Sequence, residues 1–212
     1  VSIPWIKGLT YRLNYNYTLD AKNLYNYSRY EASQQGEASK QHDNSSVWLL
    51  DNIVNYTNSF GKHAINATFV YGSRQAYDNT LAKGQQYTST VTGYNDLGQA
   101  IIQTIRSSAY KESNLYQMLR TSYNYDSKYL LTATLRRDGF SGFAENHKFG
   151  LFPSVGLGWV LSREAFLSEA EFMDNLKLRA SFGVTGNQTS RYSSLAKVEL
   201  NAGSKYVFGD GA

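Results

Sequence analysis

The chain has 212 residues and a net charge of +4, with 18 tyrosines, 10 phenylalanines, two prolines and no cysteine. A mean hydropathy of −0.47 and the lack of any run of about twenty apolar residues exclude a membrane-spanning helix. The basic residues are scattered rather than clustered, without a recognition-helix pattern, which argues against nucleic acid.

From Leu9 to Leu19 the sequence alternates without a miss. Leu9, Tyr11, Leu13, Tyr15, Tyr17 and Leu19 face one way, and Thr10, Arg12, Asn14, Asn16 and Thr18 the other. About eleven residues is the length of a tilted membrane strand rather than the five or six of a soluble sheet. Asp20 to Ser46, rich in Gln, Asn and Ser, reads as a loop. Val47 to Asn58 is a second strand with Leu50, Val54 and Tyr56 on the apolar face and Asp51, Asn55 and Thr57 opposite. Phe60-Gly61-Lys62-His63 is a tight reversal, and a third strand follows to about Gly72.

Arg74 to Glu112 reads as the longest connection, with a small hairpin formed by Tyr87–Val91 and Ala100–Ile105. Leu115 to Tyr123 is the fourth strand and Tyr129 to Asp138 the fifth, with Tyr129, Leu131, Ala133 and Leu135 on its apolar face. Phe149 to Leu161 is the sixth, Ser162 to Asp174 a connection with a short helical turn, and Leu176 to about Thr185 the seventh. The predicted fold class is all-β, an antiparallel transmembrane β-barrel wall of about seven strands. Short turns then lie on the periplasmic side and long connections outside. An open seven-stranded sheet leaves two edges, so residues 1–212 are expected to be a partial barrel domain of a longer chain.

Three stretches carry a resemblance. Tyr129-Leu130-Leu131-Thr132-Ala133-Thr134-Leu135-Arg136-Arg137-Asp138-Gly139, Phe152-Pro153-Ser154-Val155-Gly156-Leu157-Gly158-Trp159 and Leu176 to Gln188 resemble the SusC/RagA family of TonB-dependent outer-membrane transporters of Bacteroidetes-type bacteria. Weaker similarity reaches back to about Leu9, and one departure stands at Gly142, where the family carries a basic residue. The resemblance implies a parent barrel of about 22 strands with a plugged lumen. It also implies energised import of an oligosaccharide or peptide, a SusD-like surface lipoprotein and the TonB complex as partners, and a place in the Gram-negative outer membrane. The plug and the barrel-closing strands are expected to lie outside this chain, as is the signal peptide that Val1-Ser2-Ile3-Pro4-Trp5 does not supply.

No catalytic constellation emerges, and nothing calls for a cofactor or metal. His42, His63 and His147 lie apart, and Glu164, Glu169 and Glu171 read as a solvated turn. Tyr15, Tyr17, Tyr123, Tyr125, Tyr129 and Trp159 are expected to form membrane-interface girdles against outer-membrane lipid. Arg12, Asp51, Arg120, Arg136, Asp138 and Arg179 are the candidate residues facing the lumen or plug. Tyr25, Tyr27, Tyr30, Tyr77, Tyr87 and Tyr94 are candidate external-loop contacts for substrate or partner. Two rival readings share parts of this pattern. A passive porin has the same wall without a plug, and a secreted soluble β-protein that binds carbohydrate has the aromatic richness with shorter strands.

Overall fold

The computed structural model describes residues 1–28, 36–86, 93–99, 102–167 and 174–188. Seven strands run β1 Leu9–Ser28, β2 Glu37–Phe60, β3 His63–Gln86, β4 Ile102–Tyr125, β5 Tyr129–Phe140, β6 Phe149–Val160 and β7 Lys177–Gly183. They form one antiparallel sheet in sequence order, each strand pairing with the next, and the sheet does not close on itself. Each strand pairs with its neighbour in sequence, which makes the sheet a meander.

The alternation read from the sequence becomes two physical faces. Tyr11, Val54, Phe69, Leu119 and Leu135 share one register row, as do Ala133, Val155 and Phe182 further down. Partners opposite each other in a ladder point to the same side, so this face is apolar across the sheet. It is also uncovered: Leu13 is 54% exposed, Leu157 58% and Phe182 73%. Among the described residues only Ala38, Ala76 and Phe140 are buried hydrophobics. A water-soluble domain buries its large apolar side chains, whereas a lipid-facing wall presents them.

At the short-turn end the apolar face carries a row of rings. Phe60 stacks on His63 at 5.1 Å between centroids, His63 meets Tyr125 at 4.9 Å, Tyr125 meets Tyr129 at 6.2 Å and Tyr129 meets Trp159 at 6.4 Å. Tyr125, Tyr129 and Trp159, three of the residues expected at a membrane interface, thus stand in one row with Phe60 and His63. The turns beneath it are pinned together. Gly61 takes φ +54°, as the two-residue reversal demands, and Lys62 pairs with Asp126 of the next turn at 2.9 Å. That hydrogen bond and charge hold the Lys62 ammonium above its ordinary pKa.

The largest departure from the sequence reading is strand length. Asp20–Ser46 and Arg74–Glu112 are not long loops: β1 continues to Ser28, β2 begins at Glu37, β3 reaches Gln86 and β4 starts at Ile102. β2, β3 and β4 each have 24 residues, roughly 80 Å of strand. About ten residues suffice to cross a bilayer. The surplus is a four-stranded sheet beyond the ends of β5 and β6, where Lys, Asn, Gln and Ser stand on both faces among the tyrosines, so the hydrophobic alternation weakens while the backbone ladder continues. β5 and β6 have 12 residues each and stop at the rim. Of the small hairpin expected above the membrane, Ile102–Ile105 pairs with Lys83–Gln86 of β3, and Tyr87–Val91 lies outside the described residues. A 3-10 turn at Leu161–Arg163 follows β6, and β7 ends at Gly183 rather than Thr185.

Candidate lumen site

The face opposite the apolar one is polar, and its side chains converge at the rim where β5 and β6 end. Asn14, Asp51, Gly72, Tyr116, Asp138 and Gly150 lie in a single register row. Tyr116 reaches across the intervening β3 to donate its hydroxyl to Asp51 Oδ1. Gly72 makes this possible, because a Cβ there would sit 2.2 Å from the Tyr116 ring and 2.6 Å from Asp51. One row below, Arg136 donates Nε and a terminal nitrogen to the two oxygens of Asp138 at 2.7 and 2.8 Å, a fork-to-carboxylate pair. Its guanidinium carbon lies 5.4 Å from the Tyr116 ring centre.

Above this row, Arg74 pairs with Glu112 at 2.8 Å. The chain after β7 then leaves the sheet and lies on the polar face. Val184 N donates to Pro153 O at 2.9 Å, Gly186 packs where a Cβ would meet Phe152 at 2.4 Å, and Asn114 Nδ2 donates to Gln188 Oε1 at 3.1 Å. The result is a concavity of about 460 Å³, walled by Tyr116, Arg136, Asp138, Phe140, Phe152 and Gln188 among others. Aromatic walls and planar polar groups suit a hydroxyl- or amide-rich ligand.

All six sequence candidates share this face, but the fold gathers only three of them. Asp51, Arg136 and Asp138 meet through Tyr116, while Arg12 lies in Arg136's register row four strands away. Arg120 lies in the row of Asn55 and Thr134, and Arg179 pairs with Gly158 towards the short-turn end. Tyr116, Arg74, Asn114, Phe152 and Gln188 were not anticipated. The one available signal was Gly72, a glycine inside a strand pattern, which marks a close approach.

Three of the tyrosines expected in external loops lie on strands. Tyr25 and Tyr27 belong to β1 and Tyr77 to β3, on the same side as the apolar face, because the strands extend through those segments. Tyr94 lies in the described stretch between β3 and β4 and stacks on Tyr25 at 5.7 Å. Tyr30 and Tyr87 lie outside the described residues, as do Glu169 and Glu171. Glu164 is no solvated bystander. Its Oε1 accepts from Trp159 Nε1 at 2.9 Å and from the Tyr129 hydroxyl at 2.8 Å, and Lys128 Nζ sits 3.2 Å from Oε2. Those bonds, Trp159's foremost, hold its carboxyl below the ordinary range. At Gly142 a side chain would meet the Phe140 ring at 2.5 Å, and Lys148 instead donates to the carbonyls of Ser141 and Phe143.

Residues 3–209 match the family model for TonB dependent receptor-like β-barrels. The chain belongs to that family. It is 33% identical over 165 residues to TonB-dependent receptor P3 of Formosa agariphila, covering 76% of this chain and 16% of the relative. It is 30% identical over 161 residues to TonB-dependent receptor SusC of Bacteroides thetaiotaomicron, covering 74% of this chain and 16% of SusC. Among solved structures, the RagAB peptide transporter superposes with a TM-score of 0.76 at 19% identity, over 88% of this chain and 22% of that one. The chain thus spans about a fifth or less of the length of the relatives it matches. The seven strands are a SusC/RagA-like section of a receptor barrel.

Proposed function

We propose that this chain is part of the wall of an outer-membrane transporter that imports a large polar nutrient, an oligosaccharide or a peptide, with energy delivered through TonB. The observation that carries the reading is the division of one sheet into two chemistries. Its uncovered apolar face suits lipid, and the opposite face holds the linked set Asp51, Tyr116, Arg136 and Asp138 beside a concavity. On this reading the polar face lines the lumen. Arg12, Arg120 and Arg179 then line the path below or beside the rim cluster, and charges not held by wall partners are met by a plug. The β1–β4 extension supplies a surface reaching roughly 40 Å along the strands beyond the end of β5. A SusD-like lipoprotein would rest there, with Tyr25, Tyr27, Tyr77 and Tyr94 at hand, and Tyr30 and Tyr87 in the adjoining connections.

The test uses the full-length receptor in cells, fed candidate oligosaccharides and peptides. Uptake that stops when TonB is deleted supports the reading, whereas uptake unaffected by that deletion supports a passive porin. Arg136→Ala should lower uptake while leaving the amount of assembled receptor unchanged. Normal uptake by Arg136→Ala and Asp138→Ala together would remove the rim cluster from the transport path.

A further inference from the structure

One register row of the apolar face is mostly polar. Asn52, Tyr71, Gln117 and Arg137 lie side by side on β2 to β5, in a row that ends on Leu151 of β6. The row below it holds Phe69, Leu119 and Leu135, and the row above holds Leu115 and Phe149 beside Ser73 and Gly139. Arg137 is exposed, and its guanidinium carbon lies 3.9 Å from the centre of the Phe149 ring. The ion pairs among the described residues are Lys62–Asp126, Arg74–Glu112, Lys128–Glu164 and Arg136–Asp138, and none involves Arg137. Its sequence neighbour Asp138 points to the other face, towards Arg136.

A guanidinium on a lipid-facing surface is costly at the midplane and tolerated near an interface. Arg137 is eight positions above the ring row at Tyr129. That is about 27 Å along the strand, or roughly 20 Å of height at a tilt of about 40°. The apolar band of such barrels is about 25 Å tall, so Arg137 meets the leaflet edge on the side away from the short turns. In a barrel whose short turns are periplasmic, that is the outer leaflet.

We propose that Tyr71, Gln117 and Arg137 form a binding site for the phosphate of an outer-leaflet lipid. Gln117 is the cross-strand partner of both Tyr71 and Arg137, so a phenol, an amide and a guanidinium stand side by side on three neighbouring strands of one face. The guanidinium fork matches two phosphate oxygens, and Phe149 holds its plane. Leu135 and Leu151, 47% and 56% exposed, offer the surface along which an acyl chain lies below the headgroup. A protein partner is disfavoured by this mixture, because the row is flanked by side chains that need hydrocarbon on both sides. The site is independent of what the lumen transports.

The test uses the full-length receptor in detergent, with lipid retention read by native mass spectrometry. The probes are bisphosphorylated lipid A, the same lipid A with both phosphates removed, and inorganic phosphate. The wild-type receptor should hold bisphosphorylated lipid A at least about tenfold more tightly than the dephosphorylated form, a typical effect of a charged hydrogen bond. Arg137→Gln should erase that preference and Arg137→Lys should keep part of it. Equal retention of the two lipids by the wild type would overturn the site, and that comparison stands even if a variant assembles poorly. A preference unchanged in Arg137→Gln would overturn it too, and inorganic phosphate competing as strongly as lipid A would overturn the lipid as occupant.

Discussion

An arginine placed on either side of β5 should give opposite results. Ala133 lies on the apolar face, in register with Thr121 on β4 and Val155 on β6. It is four positions from Tyr129, about 13 Å along the strand and roughly 10 Å above the ring row at a tilt of about 40°. That is close to the middle of an apolar band about 25 Å tall, where a lipid-facing Arg costs about 2–4 kcal/mol. Such a loss is a large fraction of the roughly 5–15 kcal/mol that holds a typical protein folded. Thr134, one residue on, faces the polar side between Arg120 and Ser154. Thr134→Arg sets a like charge opposite Arg120, and Thr134→Glu an opposite one, each worth about 0.2–1 kcal/mol in a wet setting. The assay is urea unfolding of the full-length receptor in lipid vesicles, with membrane-assembled protein in cells as a second readout. Ala133→Arg should lose several-fold or more assembled protein, Thr134→Arg little and Thr134→Glu none. Were Thr134→Arg the severe variant, the two faces assigned here would be reversed.

Three further outcomes are expected. Gly72→Val should drive the Tyr116 ring off Asp51 and destabilise the receptor by about 1–3 kcal/mol, a typical overpacking cost, whereas Tyr116→Phe should cost about 1 kcal/mol; thermal melts of both variants check this. Because Glu164's folded carboxyl titrates below its unfolded value, the stability it adds is present above about pH 4.3 and fades as acid takes the pH through the lower folded value. Glu164→Gln should flatten that part of the stability–pH curve, and an unchanged curve would show that the Trp159–Tyr129–Lys128 anchor has no such role. Gly186→Ala should push the segment after β7 away from Phe152, so a disulfide between Asn114→Cys and Gln188→Cys should form more slowly than in the same pair with Gly186 intact.

The sequence revealed those parts of the fold where the two sides of a strand meet different solvents. From Leu9 to Leu19 and from Tyr129 to Leu135 one side meets lipid, so the period of two is written in residue type. From Ala21 to Ser28 and Glu37 to Ser46 polar residues stand on both sides and break the pattern, so only the backbone ladder marks them as strand. That ladder leaves no trace in composition, which is why those segments read as loops. The rim cluster was half legible for a similar reason. Alternation put Asp51, Arg136 and Asp138 on one face, but uniting them needs the register that brings Tyr116 of β4 across Gly72 of β3 to Asp51 of β2. Register between strands separated by long connections is not encoded locally, and neither is the return of Gln188 to Asn114.

The central claim is that this sheet is a membrane wall with a lipid side and a water side. Single spin labels placed in turn from Tyr129 to Asp138 in the full-length receptor, reconstituted in lipid vesicles, measure it directly through collision with oxygen and with a water-soluble nickel complex. Labels at Leu131, Ala133 and Leu135 should favour oxygen and those at Thr132, Thr134 and Arg136 nickel, while labels from Ala21 to Ser28 should favour nickel on both faces. Uniform access of nickel along β5, or the same alternation with the two sets exchanged, would contradict the account.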